Sequence, residues 1–440
     1  MEEQILIESL SYGKAGIGHT SEGKAVFVAK AAPGDLALVT IEEDKGNYCV
    51  GRLSELIEAS PVRVRPPCPF YDSCGGCPWQ HLGYPAQTAA KRDAVVSALI
   101  HTAHLDRPAA EGLVAPCKGS ARELGYRNKL EFGAVFNEDS GLALGFYKEG
   151  SHEIAATDSC LAAVRPIAGS PKTLRGALRY LSGRHDLGIF RVGVRSSLRT
   201  KDLEIALWTR PGAFPRHSGA QMLKGALKAT SIVRVVADPG KSRKVKAVEA
   251  LDGKGFWEER LGDDVFMTSA PSFFQVNTGQ AEALVGLVVE GLCPDPGMRV
   301  ADLYAGGGTF AVALARKAGT VLAVEAASSS VKDLRRNAQR NDAAIEVVGG
   351  DSARCLPGLG PLDAVVVDPP RAGLSPAMVE AIASAGPKRV AYVSCDPSTW
   401  ARDVARLGEK GYALTGAQPV DLFPQTYHVE VVSFFDRCKG

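Results

Sequence analysis

The residues that could do chemistry lie in four short stretches. In the first, the apolar run Arg389-Val390-Ala391-Tyr392-Val393 reads as a buried parallel strand, and Ser394-Cys395-Asp396-Pro397-Ser398 turns it into the start of a helix. Open α/β sheets collect ligands outside the carboxyl ends of such strands. A helix start there offers free N–H groups that favour an anion, including the thiolate of Cys395. The bland alternative is a buried cysteine closing a strand. The second stretch is Asp368-Pro369-Pro370-Arg371. Its prolines fix an extended exit and forbid helix, so the Asp368 carboxyl is held at the sheet edge while Arg371 is free to meet a phosphate or carboxylate. The third runs Phe423-Pro424-Gln425-Thr426-Tyr427-His428-Val429-Glu430 and leads into the apolar residues 431–435. Partial burial raises the pKa of Glu430 towards a value useful in a base; His428 competes for that role, or is a hydrogen-bonded packing residue.

The fourth stretch is Cys68-Pro69-Phe70-Tyr71-Asp72-Ser73-Cys74-Gly75-Gly76-Cys77. Three thiols this close, on a chain that glycines let wrap tightly and prolines stiffen, point to a metal centre. A fourth ligand must come from elsewhere, from Cys117 or Cys160. Spacing leaves an iron–sulfur cluster and tetrahedral zinc both open.

The elements that must position these groups follow from periodicity. Residues 1–58 alternate apolar and polar positions in short runs at 4–8, 24–28, 36–42 and 48–56, with turn signals at 13–18 and Pro33-Gly34, which reads as a small antiparallel, OB-like β-barrel. A helical pattern covers 83–104. From 126 to 260 strands (129–135, 189–195, 203–208, 232–236) mix with helix (167–181), an α+β domain. After Phe266 the pattern becomes a lead-in helix (280–292) and then strand and helix in alternation, the plan of a doubly wound, Rossmann-like α/β domain. Polar residues close its strands: Asp302, Glu325, Asp351 and Asp368. The loop Tyr304-Ala305-Gly306-Gly307-Gly308-Thr309 lets backbone approach a cofactor, and Glu325 is placed to accept from ribose hydroxyls. The loop lacks the G-x-G-x-x-G spacing, since Ala311 follows a bulky Phe310. This tilts the reading from a dinucleotide towards S-adenosylmethionine. The expected domains are 1–58, 59–262 and 263–440.

A chain of 440 residues is too long for one core, and its 45% hydrophobic and 23% charged content is ordinary for a globular protein. No signal-peptide pattern or membrane-length apolar run occurs, so a cytoplasmic location without membrane partners is expected, and there ten cysteines serve metals, packing or catalysis rather than disulfides. The net charge of +2 hides an asymmetry: residues 171–260 carry nineteen basic and eight acidic side chains, residues 1–60 five basic and ten acidic. A polyanion would meet the middle of the chain first.

Cysteine, carboxyl pair and cofactor loop together suggest one reaction. Carbon 5 of uracil is a poor nucleophile, but a thiolate added at carbon 6 turns the ring into an enolate whose carbon 5 accepts a methyl group from a sulfonium; a base then removes the carbon 5 proton so that the thiol leaves.

Six ordered motifs resemble one family across nearly the whole chain: Cys68-x5-Cys74-x2-Cys77, Phe273-Phe274-Gln275-Val276-Asn277, Asp302-Leu303-Tyr304, Asp368-Pro369-Pro370-Arg371-Ala372-Gly373, Ser394-Cys395-Asp396-Pro397 and His428-Val429-Glu430. The chain is similar to the S-adenosylmethionine-dependent RNA uracil-5-methyltransferases, and within them to the ribosomal branch with an N-terminal TRAM barrel and an iron–sulfur cluster. The resemblance implies Cys395 as nucleophile and Glu430 as base. It implies cofactor contacts from Gln275, Tyr304, Thr309, Glu325, Asp351 and Asp368, and a 4Fe–4S cluster on Cys68, Cys74, Cys77 and Cys160. It also implies a monomer acting on RNA. Ala305, Thr309 and Trp400 depart from the family's common residues, and the Thr309 contact is the one this puts in question. Three readings follow: 5-methyluridine formation in 23S ribosomal RNA, the same reaction at the T-loop uridine of transfer RNA, and a non-catalytic RNA-binding or chaperone module, against which intact Cys395 and Glu430 argue.

Overall fold

A computed structural model describes residues 2–240 and 244–438. Five strands, β1 (Glu2–Leu10), β2 (Ala15–His19), β3 (Ala25–Ala29), β4 (Leu36–Asp44) and β5 (Tyr48–Glu58), close a barrel in the order β1-β2-β3-β5-β4. Alternate residues point inward, so Ile5 and Ile7 meet Val26, Val28, Ala37 and Val39 in its core. The turn expected at 13–18 is largely strand β2. Gly16 and Gly18 lie where a Cβ would overlap Ile7 and Ile5, so these glycines mark close strand packing and not a reversal.

Two helices follow, α1 (Tyr84–His101) and α2 (Arg107–Leu113), and then β6 (Lys129–Asn137), β7 (Gly141–Tyr147), β8 (Ile154–Ala155), α3 (Arg165–Ala168), α4 (Ser170–Ser182), β9 (Ile189–Ser196), β10 (Leu203–Thr209), α5 (Arg216–Leu227), β11 (Ser231–Ala237) and β12 (Val245–Gly253). These strands form one sheet in the order β12-β11-β10-β9-β6-β7-β8, with α4 and α5 packed on one face through Leu174, Leu178 and Leu223. The single helix expected over 167–181 is two, α3 and α4, broken at Gly169. Much of the basic excess of this region is held in ion pairs, among them Arg175 with Asp158, Arg216 with Glu249, Lys224 with Asp252 and Lys246 with Asp238.

The remainder is β13 (Trp257–Leu261), β14 (Asp264–Thr268), α6 (Thr278–Leu292), β15 (Arg299–Leu303), α7 (Thr309–Leu314), β16 (Thr320–Glu325), α8 (Ser328–Arg340), β17 (Ile345–Gly349), α9 (Ser352–Cys355), β18 (Ala364–Val367), α10 (Pro376–Ala385), β19 (Arg389–Ser394), α11 (Pro397–Glu409), β20 (Tyr412–Val420) and β21 (Glu430–Arg437). Its sheet runs β17-β16-β15-β18-β19-β21-β20, parallel from β17 to β19 and antiparallel at β21 and β20. Both faces are covered, which is why β19 reads as an unbroken apolar run: Val390 and Tyr392 pack with α10 and α11, Ala391 and Val393 with α6 and α7.

Packing regroups the span 59–262. Helices α1 and α2 bury Val95, Leu99 and Ala110 in the same core as β19 and α11. The hairpin β13–β14 seats Trp257 and Phe266 against α6 and α7. The boundary expected at 262 therefore falls inside a hairpin that belongs with the C-terminal sheet. No helix among the described residues is long and apolar enough to cross a membrane.

Candidate active site

Cys395 stands one residue beyond β19, half-buried, where the sequence places it. The anion-favouring helix start does not reach it. Asp396 caps α11 with its own carboxylate, accepting from Ser398 N at 3.0 Å and Thr399 N at 3.1 Å, so the free amides expected for the thiolate are already satisfied. The thiol is pushed up to about 12, first by burial and then by the Glu430 and Asp368 carboxyls, with the Arg371 guanidinium opposing.

Glu430 opens β21, which pairs antiparallel with β19 so that Ser394 lies opposite Val431. That register sets Glu430 beside Cys395. It is 4% exposed, and loss of hydration, reinforced by Asp368, holds its pKa well above the usual carboxyl range. Asp368 is pushed up to about 7 by burial at the end of β18. His428 is held down to about 4, by burial first and then by Arg371, whose Nη2 lies 3.2 Å from His428 Nδ1. A neutral imidazole that accepts from a guanidinium is a weaker base than a buried carboxylate, so geometry and charge favour Glu430 over His428.

The loop before Glu430 is latched to α1. Lys91 and Asp421, both fully buried, form an ion pair, and Tyr84 Oη donates to the same carboxylate at 2.8 Å. Gln87 and Gln425 bond reciprocally: Gln87 Nε2 donates to Gln425 Oε1 at 3.0 Å, and Gln425 N donates to Gln87 Oε1 at 2.9 Å. Trp79 N donates to Gln425 O at 3.1 Å, which helps hold Gln425 in its left-handed conformation, φ 69°. A half-satisfied amide in this interior would cost roughly 1–3 kcal/mol, so the latch is rigid.

The cofactor loop joins β15 to α7. Glu325 at the end of β16 braces it, accepting from Gly306 N at 2.9 Å and from Ala327 N at 2.6 Å. Gly308, φ 89°, presses on Leu334 where a Cβ would overlap it. Tyr304 N donates to Ser352 Oγ at 3.3 Å, and the neighbouring Asp351, exposed, caps α9. Two buried acceptors here have no hydrogen-bond partner, Gln275 Oε1 and Asp302 Oδ1. Orphaned oxygens at such a site suit a ligand that brings amino and hydroxyl donors. Asp302, pushed up to about 8 by burial, bonds Ala311 N at 2.9 Å with its other oxygen. Thr309 opens α7 directly after the loop and lines a cavity with Asp264, Glu282 and Arg316.

Comparison with known proteins places this arrangement. A TRAM domain profile matches residues 2–53, a profile described as tRNA (Uracil-5-)-methyltransferase matches 361–438, and one described as Conserved hypothetical protein 95 matches 295–395. An RNA methyltransferase of Gloeobacter violaceus is 36% identical over 98% of this chain and 96% of its own, and one of Chlorobaculum tepidum is 33% identical over 96% and 93%. The chain belongs to the S-adenosylmethionine-dependent RNA uracil-5-methyltransferases. Among solved structures, the Pyrococcus abyssi tRNA (uracil-54, C5)-methyltransferase in complex with S-adenosyl-L-homocysteine matches with TM-score 0.75 and 25% identity, covering 98% of this chain and all of that one.

In the methyltransferase, Cys68, Cys74, Cys77 and Cys160 line one cavity together with Arg127, whereas Cys117 sits apart beside Asp421 and Lys91. Gly75 is required there, because a Cβ would stand 2.9 Å from Glu149 Cα. Burial pushes the thiols of Cys74, Cys77 and Cys160 up, Cys77 to about 12. Among the described residues no three His, Cys, Asp or Glu side chains converge closely enough to hold a single metal ion.

Sequence reasoning missed several residues of the methyltransferase site. Gln87, Lys91 and Asp421 hold the loop that carries the base, and Tyr12 of the barrel reaches the Cys395 carbonyl at 3.4 Å. Lys91 left one signal: a lysine at a position that helical periodicity places on the apolar face of α1, between Gln87 and Val95.

Proposed function

We propose that the enzyme methylates carbon 5 of a uridine in large-subunit (23S) ribosomal RNA, with Cys395 as nucleophile and Glu430 as base. The observation that carries the reading is the meeting of Cys395, Glu430 and Asp368 at neighbouring strand ends of one sheet, beside the loop braced by Glu325. Gln275, Tyr304, Thr309, Glu325, Asp351 and Asp368 are the residues that would hold the cofactor. When bound, S-adenosylmethionine supplies an electrophilic methyl group and a positive charge beside these acids. The Cys395 thiol gives its proton to solvent and its sulfur bonds carbon 6, moving the carbon 5–carbon 6 electron pair towards the ring carbonyl. Once carbon 5 carries the methyl group, Glu430 takes its proton, the double bond reforms, and the Cys395 sulfur leaves as thiolate. Arg371 stabilises that thiolate on release. The remaining basic surface of the central sheet and the barrel supply RNA contacts that offset the cost of unstacking the base, a few kcal/mol. The enzyme acts as a cytoplasmic monomer.

A second reading, methylation of transfer RNA, is favoured by the whole-chain likeness to the Pyrococcus abyssi protein. Purified enzyme incubated with unmodified ribosomal RNA, or with transfer RNA, separates the two. We expect 5-methyluridine in ribosomal RNA fragments by mass spectrometry; product in transfer RNA alone would transfer the proposal to the second reading, and product in neither would end both.

The four thiols that share one cavity are the donor set that a 4Fe–4S cluster takes. Zinc–sulfur bonds of about 2.3 Å demand a tight tetrahedron, whereas a cuboidal cluster spreads its thiolates more widely. The residues that would hold it are Cys68, Cys74, Cys77 and Cys160. Protein purified without oxygen is expected to carry about four irons per chain with broad visible absorbance, and Cys160→Ser to lose most of both. Stoichiometric zinc instead would overturn the assignment.

A further inference from the structure

Tyr12 occupies the turn between β1 and β2 of the barrel, in the first domain of the chain, yet it reaches the catalytic strand end. Its hydroxyl donates to the carbonyl of Cys395 at 3.4 Å. Its ring meets Tyr427 edge to face, centroids 5.7 Å apart at 89°, and Tyr427 in turn packs on His428 at 4.2 Å. His428 meets Arg371, the guanidinium that opposes the acids around the thiol. The turn itself is braced. Ser11 Oγ and Ser11 N both donate to Ala15 O, at 2.8 and 3.0 Å, and Trp79 Nε1 donates to Gly13 O at 3.1 Å. Trp79 is the same residue whose main-chain N–H holds Gln425 in the loop before Glu430. Burial, with Asp396, Cys395 and Glu430 nearby, holds the Tyr12 hydroxyl above its ordinary range, so it stays a neutral donor. On its outer side the turn opens on a groove of about 890 Å³ that Tyr12 shares with Pro397 and Ser398 at the start of α11.

We propose that Tyr12 is a positioning residue of the active site, through which the barrel fixes the Cys395 backbone and the Tyr427–His428 wall beside it. The barrel is then part of the catalytic assembly as well as an RNA anchor, and RNA that docks on it meets a nucleophile whose alignment depends on the same module. This rests on the reading of Cys395 as the nucleophile.

Three variants and three measurements test it. Tyr12→Phe keeps the ring and removes the hydrogen bond; Tyr12→Ala removes both. At saturating RNA carrying 5-fluorouridine, with cofactor present, Tyr12→Phe is expected to slow covalent adduct formation about fivefold, the worth of one neutral hydrogen bond. Tyr12→Ala adds the loss of an aromatic pair, for a total of roughly fiftyfold, while the RNA dissociation constant stays within about twofold of wild type for both. Glu55→Ala, on the exposed face of β5, leaves the adduct rate constant unchanged. In the absence of RNA, Tyr12→Ala is expected to raise the iodoacetamide alkylation rate of Cys395, mapped by peptide mass, about fivefold, because the hydroxyl and ring that hold the Cys395 strand end and its Tyr427 neighbour in place are gone. Wild-type adduct rates in both Tyr12 variants, or a loss confined to RNA affinity, would overturn the proposal. If Tyr12→Ala fails to fold, Tyr12→Phe decides by its adduct rate. If wild-type protein forms no adduct, the reading of Cys395 falls, and an unchanged alkylation rate in Tyr12→Ala would sink the positioning role separately.

Discussion

Cys395→Ala is expected to abolish both the covalent adduct with 5-fluorouridine RNA and methyl transfer, lowering turnover on the order of 10⁴-fold or more, the scale typical of removing a covalent nucleophile. The reason is electronic. Without sulfur at carbon 6 the ring offers no enolate, and nothing else in the cleft replaces a soft nucleophile: Asp368 and Glu430 are the carboxyls beside the thiol, and a carboxyl oxygen is a far poorer nucleophile than sulfur. Fluorine at carbon 5 cannot leave as a proton, so the wild-type adduct persists and is visible as a shifted band on a denaturing gel. The elevated thiol adds a pH signature. With its pKa near 12, the thiolate fraction of ligand-free Cys395 grows tenfold for each pH unit between 7 and 10, so its alkylation rate should rise with a slope near one on a log scale. A plateau below pH 8 would show a thiol activated before any ligand binds, contrary to the acid-ringed geometry. Adduct formation by the alanine variant through another cysteine would remove Cys395 from the mechanism.

How much of this was legible before the structure depended on the range of the interactions involved. The strand β19 and the acids at successive strand ends follow from local pattern, because a sheet covered on both faces needs unbroken apolar runs and ends them at the ligand crevice. The position of Glu430 beside Cys395 was also legible as a candidate, since β21 follows as an apolar run. The failures are long-range or competitive. Strand β2 was hidden because its glycines, read as a turn, are there to let β1 approach. The thiolate-friendly helix start meets a competitor one residue along: the Asp396 side chain takes the amides first. Packing that crosses the expected domains was not legible either: α1, well upstream, builds part of the C-terminal core and latches Gln425 and Asp421 across more than three hundred residues. Tyr12 carried no local signal, since its role exists only when the barrel docks.

Glu430→Gln is expected to separate the two halves of the reaction. Glutamine fills the same buried space at the start of β21 but takes no proton, so methyl transfer to carbon 5 proceeds and the adduct then stalls, with product release slowed roughly 10²–10⁴-fold. Ordinary uridine RNA should then trap covalently without fluorine, which wild type does not allow. A variant that releases 5-methyluridine at the wild-type rate would pass the role to His428 or water. The same substitution carries a stability signature whose sign follows from burial. Glu430 titrates far above its unfolded value, so the folded state binds its proton more tightly than the unfolded state does. Its contribution to stability is therefore fully present below the unfolded pKa and declines as pH rises through the window up to the folded one. Glutamine does not titrate, so Glu430→Gln should raise the melting temperature relative to wild type, and by more at pH 8 than at pH 5. A gain that is equal at both values, or a loss at pH 8, would mean that Glu430 is ionised in the folded protein, held so by Arg371, and that the base stands ready before substrate arrives.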